Sequence, residues 1–312
     1  MIVMVLYYDD PSFEDQGGHF QAHFVLEIRS LFRLILYWTI LGLRRGVRFC
    51  YNSHLTGGRP MSVTPELLEM VKPITDVSVF LKTLHDRFGD RMAIATSGQL
   101  TGEVILDLCV KAGFKPRVYT VDTGRLFPET LALFDAVEKK YGIKIERYYP
   151  DPAELKTLVE ENGEYLFFDS KEKQELCCRV RKVLPNERVL RTLDVWVTGL
   201  TADQSASRQK MPRAEIIERV EDGKKRSLLK VSPLVDWPES KVRDYAQANG
   251  VPVNPLMNRE FPGGWRYESL GCVICTTPIG PFEPRRAGRW RWLNQDASKE
   301  CGLHLPPPPA HG

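Results

Sequence analysis

No stretch of the chain is apolar for long enough to cross a bilayer. A span needs roughly 20 apolar residues, and the apolar stretch at residues 31–43 is shorter and broken by Arg33. A secretory leader is not expected either. Such a leader starts basic and turns apolar early, whereas this start is apolar and then acidic, with Asp9, Asp10, Glu14 and Asp15. There is no large excess of one charge: 43 Lys and Arg stand against 40 Asp and Glu, a formal net charge of +3, so no duplex-binding surface is implied. No internal repeat is visible. These absences leave a chain of 312 residues, 43% of them apolar, which is enough for one large domain or two small ones. Without secretory features, its seven cysteines are not read as a disulfide scaffold. A reducing cytoplasm with metal or redox chemistry fits them better, so the expected location is cytoplasmic.

The cysteines carry the strongest signal. Cys177 and Cys178 are adjacent and are followed by Arg179, Arg181 and Lys182. A vicinal disulfide would need a strained eight-membered ring, and adjacent thiolates beside cations suit ligands held near an anion. Cys272 and Cys275 form a second pair at C-x-x-C spacing. Two plus two gives four soft donors, the requirement of a closed tetrathiolate zinc site or of an iron–sulfur cluster; ligand type alone leaves both open. The bland alternative is two unrelated buried pairs. Cys109 lies on an apolar helical face and reads as core, and Cys50 falls in the first 60 residues. Cys301 stands apart, with Glu300 before it, His304 after it, and Arg285, Arg286, Arg289 and Arg291 upstream. A nucleophilic thiolate needs such cations to lower its pKa; otherwise it is a tail thiol without a role. The interleaved Arg289, Trp290, Arg291 and Trp292 could stack on nucleic acid, which the near-neutral charge argues against.

Organisation follows from periodicity. Residues 1–60 read as an extension, 61–260 as an α/β core, and 261–312 as a C-terminal segment rich in Gly, Pro, Arg and Trp. The spacing predicts strands over 92–96, 117–121, 144–148, 195–199 and 228–234. It predicts helices from Thr64-Pro65, over 77–88, over 103–112 after a loop at 97–102, over 128–141 and over 238–249. That alternation is the pattern of a parallel sheet with helices on both faces. Ligands of such sheets bind at the carboxyl ends of strands. There the sequence places Ser97 and Gly98, then Val121, Asp122, Thr123 and Gly124, then a hydroxyl-rich stretch from Thr198 to Arg208. Glycines permit close backbone approach, hydroxyls donate, and the forked guanidinium of Arg208 suits a phosphate or sulfate. Each loop alone could be an ordinary turn; together they suggest a nucleotide cleft.

Taken jointly, Cys177 to Lys182, Cys272 with Cys275, Thr198 to Arg208 and Glu300 to His304 resemble the assimilatory adenylyl-sulfate reductases, within the phosphoadenosine-phosphosulfate reductase family. The likeness spans residues 64–304. It implies an adenine nucleotide α-hydrolase-like fold with a mobile C-terminal catalytic tail, a [4Fe–4S] cluster on Cys177, Cys178, Cys272 and Cys275, and a nucleophilic Cys301. It also implies substrate contacts from Ser97, Gly98, Val121, Asp122, Thr123, Gly124, Lys182, Arg208, Arg286, Arg289 and His304. Relatives with the four cysteines typically take adenosine 5′-phosphosulfate; those without take the 3′-phosphorylated form. The electron donor is expected to be a separate thioredoxin, with no nucleic-acid or membrane partner, and a homo-oligomer stays open. Two departures stand out. The family's phosphate loop usually reads close to Ser-Gly-Ala-Glu-Asp, and here the segment from Ser97 to Glu103 is about two residues longer. The usual Leu-Asp-Thr-Gly appears as Val121-Asp122-Thr123-Gly124.

Overall fold

A computed structural model describes residues 2–7, 21–26, 62–205, 208–221 and 223–293. The chain separates into two compact units, residues 1–60 and 61–312. In the first, β1 (Ile2–Tyr7) pairs antiparallel with β2 (Gln21–Leu26). The apolar stretch at 31–43, Cys50, Cys301 and His304 lie outside the described residues. No helix among the described residues is long and apolar enough to cross a membrane.

The second unit is built on a six-stranded sheet. Its strands are β3 (Met92–Ala95), β4 (Arg117–Val121), β5 (Ile145–Tyr148), β6 (Val195–Thr198), β7 (Ala214–Glu221) and β8 (Lys224–Val231). Their order is β5-β4-β3-β6-β8-β7, all parallel except β7. Alternation along the strands divides two cores. Met92, Ile94, Val118, Val195, Val197, Leu229 and Val231 face one, while Ala93, Tyr119, Trp196 and Leu228 face the other. Four helices cover the first face: α2 (Val77–Phe88), α3 (Leu100–Lys111), α4 (Pro128–Tyr141) and, late in the chain, α8 (Glu239–Ala248). The short α1 (Pro65–Val71) joins them through Leu67 and Val71. Local chemistry fixes several ends. Asp76 accepts from the Val79 amide at 2.8 Å, Pro128 occupies the first turn of α4, and Gly142 closes that helix in the left-handed region.

The expected α/β architecture with helices on both faces is therefore present. Details differ where packing overrides local pattern. Helix α3 begins at Leu100, not at residue 103, so the loop after β3 is only residues 96–99. Gly102 is a poor helix former, but a Cβ there would lie 3.1 Å from Thr96 Oγ1, and one on Gly199 would lie 3.1 Å from the Gly102 amide. The helix head is pressed against two strand ends, and that contact outweighs propensity. The last parallel strand starts earlier than expected because it pairs over its whole length with β7, whose charged alternation suits an edge.

Three helices fall where no element was expected. They are α5 (Pro152–Asn162), α6 (Lys171–Cys178) and α7 (Leu184–Leu190). Ser170 caps α6 by accepting from the Lys173 amide, and a five-residue π-helical turn, Arg179–Val183, links it to α7. Val189 and Leu190 of α7 cover the second face of the sheet.

Candidate active site

Chain order reverses beside β3: β4 and β5 extend the sheet one way, β6 the other. The carboxyl ends of β3 and β6 therefore diverge, opening a crevice at the position where ligands of open α/β sheets bind. A cavity of about 170 Å³ lies there. Its walls include Thr96, Ser97 and Gln99 after β3, Val121 and Thr123 at the end of β4, Thr198 and Gly199 at the end of β6, and Lys182 and Asn186 from the segment running into α7. The C-terminal segment closes one side with Ser269, Gly271, Arg285, Arg286 and Arg289.

The electrostatics suit an anion. No side chain caps the head of α3, and its N-cap Gln99 and first-turn Gly102 line the crevice. Thr96 organises that loop: its hydroxyl accepts from the Gly98 amide at 3.1 Å and donates to Glu103 Oε1 at 2.7 Å. Lys182, Arg208 and Arg289 are buried in the walls. Arg208 bonds Gln204, another wall residue. Arg289 donates Nη1 to the Leu270 carbonyl at 2.7 Å, while its Nε finds no partner among the described residues. Gly271 makes room for it, since a Cβ at that position would fall 2.2 to 2.7 Å from the guanidinium atoms.

Beside the crevice is a second, smaller cavity lined by Cys177, Cys178, Cys272 and Cys275 together with Arg125, Arg181, Gln174 and Lys182. Lys182 thus belongs to both. The four thiols come from two segments far apart in sequence, both tied to the loop after β4. One is tied by the bridge of Leu126 to Cys272 and the Val273 amide on the Arg125 carbonyl at 2.8 Å, the other by Arg181 Nη1 donating to the Thr123 carbonyl at 3.0 Å. Gln174 Nε2 donates to Cys178 Sγ at 3.0 Å, and Thr123 Oγ1 lies 3.2 Å from Cys272 Sγ. The hydrogen bond between Cys275 and Cys272 holds the Cys272 thiol well below its usual range against the effect of burial, and Cys275 is correspondingly raised. Burial raises Cys177, opposed by Arg181 and Arg125. Two buried guanidinium donors, Arg125 Nη1 and Arg181 Nε, have no acceptor among the described residues. Among those residues no three His, Cys, Asp or Glu side chains are grouped around a single metal position.

Of the expected contacts, Ser97, Val121, Thr123, Lys182, Arg208, Arg286 and Arg289 line the crevice. Gly98, Asp122 and Gly124 are not among its walls. Gly98 serves the turn, with φ +71° and its amide on Thr96; Asp122 accepts from the Gly124 amide at 2.9 Å. Their role is to shape the two loops. Asn186, Arg285 and Gly271 were not anticipated. Gly271 carried a signal as the neighbour of a cysteine of the C-x-x-C pair, and Arg285 as one of the cations upstream of Cys301, not as a wall of the crevice; Asn186 carried none.

A model of the phosphoadenosine phosphosulfate reductase domain matches residues 91–278, which takes in the whole sheet and the four cysteines. The chain belongs to this family. An adenosine 5′-phosphosulfate reductase of Rhizobium tropici is 46% identical over 185 residues, 59% of this chain and 96% of that relative. One of Burkholderia cepacia is 37% identical over 244 residues, 78% of this chain and 91% of the other. Among solved structures, a phosphoadenylyl-sulfate reductase of Candida auris aligns over 70% of this chain and all of its own, with a TM-score of 0.55 and 24% identity; that likeness concerns the fold. The expected reductase-like fold agrees with it.

Proposed function

We propose that the chain reduces adenosine 5′-phosphosulfate to sulfite and AMP in assimilatory sulfate reduction in the cytoplasm. The observation that carries the reading is that Lys182 belongs at once to the nucleotide-type crevice and to the cysteine cavity. A substrate with its adenosine end in the crevice would bring its sulfate toward that junction, where Lys182, Arg208, Arg286 and Arg289 can share its negative charge. The thiolate of Cys301 attacks the sulfate sulfur, the bond from sulfur to the phosphate oxygen breaks, and AMP leaves with that electron pair. A dithiol protein, thioredoxin, then attacks Cys301 Sγ. Sulfite departs, the mixed disulfide is resolved by the second thiol, and the two electrons come from thioredoxin. His304, three residues on, accompanies Cys301 in this role.

The cysteine cavity fits a [4Fe–4S] cluster. Its donors are all sulfur, and Arg125 Nη1 and Arg181 Nε are buried donors with no acceptor among the described residues, which an anionic sulfur-rich group would supply. A lone zinc ion is the poorer fit, because the thiols are not gathered around one point. Bound there, a cluster supplies a fixed charge that orients Lys182 rather than electrons. Broad absorption near ~400 nm from the purified protein is expected, where zinc would leave it colourless. The decisive experiment incubates the protein with adenosine 5′-phosphosulfate and no reductant. One sulfonate should map to Cys301 and be discharged as sulfite by reduced thioredoxin. Normal sulfite formation by Cys301→Ser would overturn the mechanism, and preference for the 3′-phosphorylated substrate would overturn the substrate assignment.

A further inference from the structure

Four residues beyond Lys182, and on the same wall of the crevice, stands Asn186. Its side chain is 5% exposed, so its amide must find partners in the protein or in a ligand. One partner is present. Tyr119, on the facing strand and itself 1% exposed, donates its hydroxyl to Asn186 Oδ1 at 2.8 Å. Burial pushes the Tyr119 hydroxyl far above its usual range, so it remains a donor at every working pH. With Oδ1 receiving the Tyr119 hydroxyl, Nδ2 is the atom left over. It takes part in no other hydrogen bond among the described residues.

An Nδ2 group only donates, and so selects an acceptor. The surroundings say which kind. On the same wall stands the Lys182 ammonium, while the uncapped head of α3 faces the crevice from the loop at residues 96–99. An oxyanion drawn in by these positive groups meets Asn186 as a neutral donor. A sugar hydroxyl would also accept from Nδ2, but the positive groups on the same walls favour an anionic oxygen there, and the Asn186→Asp variant below separates the two.

We propose that Asn186 is a further substrate-binding residue: Nδ2 donates to a phosphate oxygen of the bound nucleotide, and Tyr119 is the positioning residue that holds the amide in that orientation. The inference rests on the adenylyl-sulfate reading above. AMP binding to the full-length protein, measured by calorimetry, tests it. Asn186→Leu should weaken AMP by about tenfold, the usual scale for a hydrogen bond to a charged group. Asn186→Asp keeps the shape and the Tyr119 bond but turns an anionic oxygen toward the phosphate, so it should weaken AMP further than Asn186→Leu does. Tyr119→Phe should weaken AMP in the wild-type background and have no added effect beside Asn186→Leu, which a purely structural role would not produce. If Asn186→Asp binds AMP as well as wild type, or better, the contact is to a hydroxyl or absent and the inference fails alone. If wild type does not bind AMP, the nucleotide reading fails and takes the inference with it.

Discussion

Two carboxyl groups one turn apart on α3 show how far burial alone decides a residue's chemistry. Glu103 is 1% exposed and Asp107 3%. Glu103 receives one hydrogen bond, from Thr96, and its other oxygen has none among the described residues; burial pushes its pKa up to about 7. Burial would raise Asp107 as well, but Lys111, Tyr245 and Tyr141 all donate to it and hold its pKa below the usual value. The signs for stability are opposite. A folded-state pKa raised above the unfolded one means that folded protein binds the extra proton, so the Glu103 contribution is full below about pH 4.3 and is lost as pH rises through about 7. The Asp107 contribution is present above its unfolded pKa and is lost only as pH falls through the depressed value. Glu103→Gln should therefore flatten the fall in stability between pH 5 and 8, a difference of about 2–3 kcal/mol over that range. Thermal unfolding of both proteins across that range measures it, and parallel curves would mean that Glu103 holds no proton. In sequence Glu103 looks like any polar residue in a first helical turn. Its partner is the Thr96 hydroxyl just beyond the end of β3, a contact no helical pattern announces.

At the level of elements, the strands and first-face helices were legible because their periodicity is strong and their ends carry Asp, Pro and Gly signals. The segment from α6 through the π-helical turn was not. Its chemistry hid its structure, since Cys177 to Lys182 reads as a motif, and no helix was expected there; Pro185 sits in the first turn of α7, where its missing N–H costs nothing. The strand-poor C-terminal segment was read as irregular, and it is held less by periodicity than by specific seats. Arg289 is the clearest. Its guanidinium occupies the place where a side chain on residue 271 would begin, and its backbone bridges Thr276. Gly271→Ala should displace Arg289 and weaken AMP binding by at least about tenfold, the scale of losing a charged hydrogen bond. The same loss is expected from Arg289→Ala, and the double variant should lose no more than either alone. Additive losses in calorimetry would show that Gly271 acts through something other than Arg289.

For the whole molecule, the two cysteine pairs that stand out in the sequence line one cavity, and their spacing along the chain could not place them side by side. Residues 177 and 178 meet 272 and 275 because β4 ends in the Asp122-Thr123-Gly124-Arg125 turn, where Thr123 lies beside Cys272 Sγ and the carbonyl of Arg125 receives the Val273 amide. That arrangement, the sheet, the crevice and all three other cores lie within the unit of residues 61–312. Every described residue that lines the crevice or the cysteine cavity belongs to the second unit. A protein starting at Met61 should thus keep the melting temperature, the absorption and the AMP affinity of the full chain. The argument is energetic as well as geometric. Stability follows the apolar surface buried in the cores, and those cores are formed by residues 63 to 290. The measurements are thermal unfolding, a visible spectrum and calorimetry on the shortened protein beside the full one. A lowered melting temperature, or loss of soluble protein, would mean that the first unit covers apolar surface of the second and that the nucleotide-binding unit is not self-sufficient.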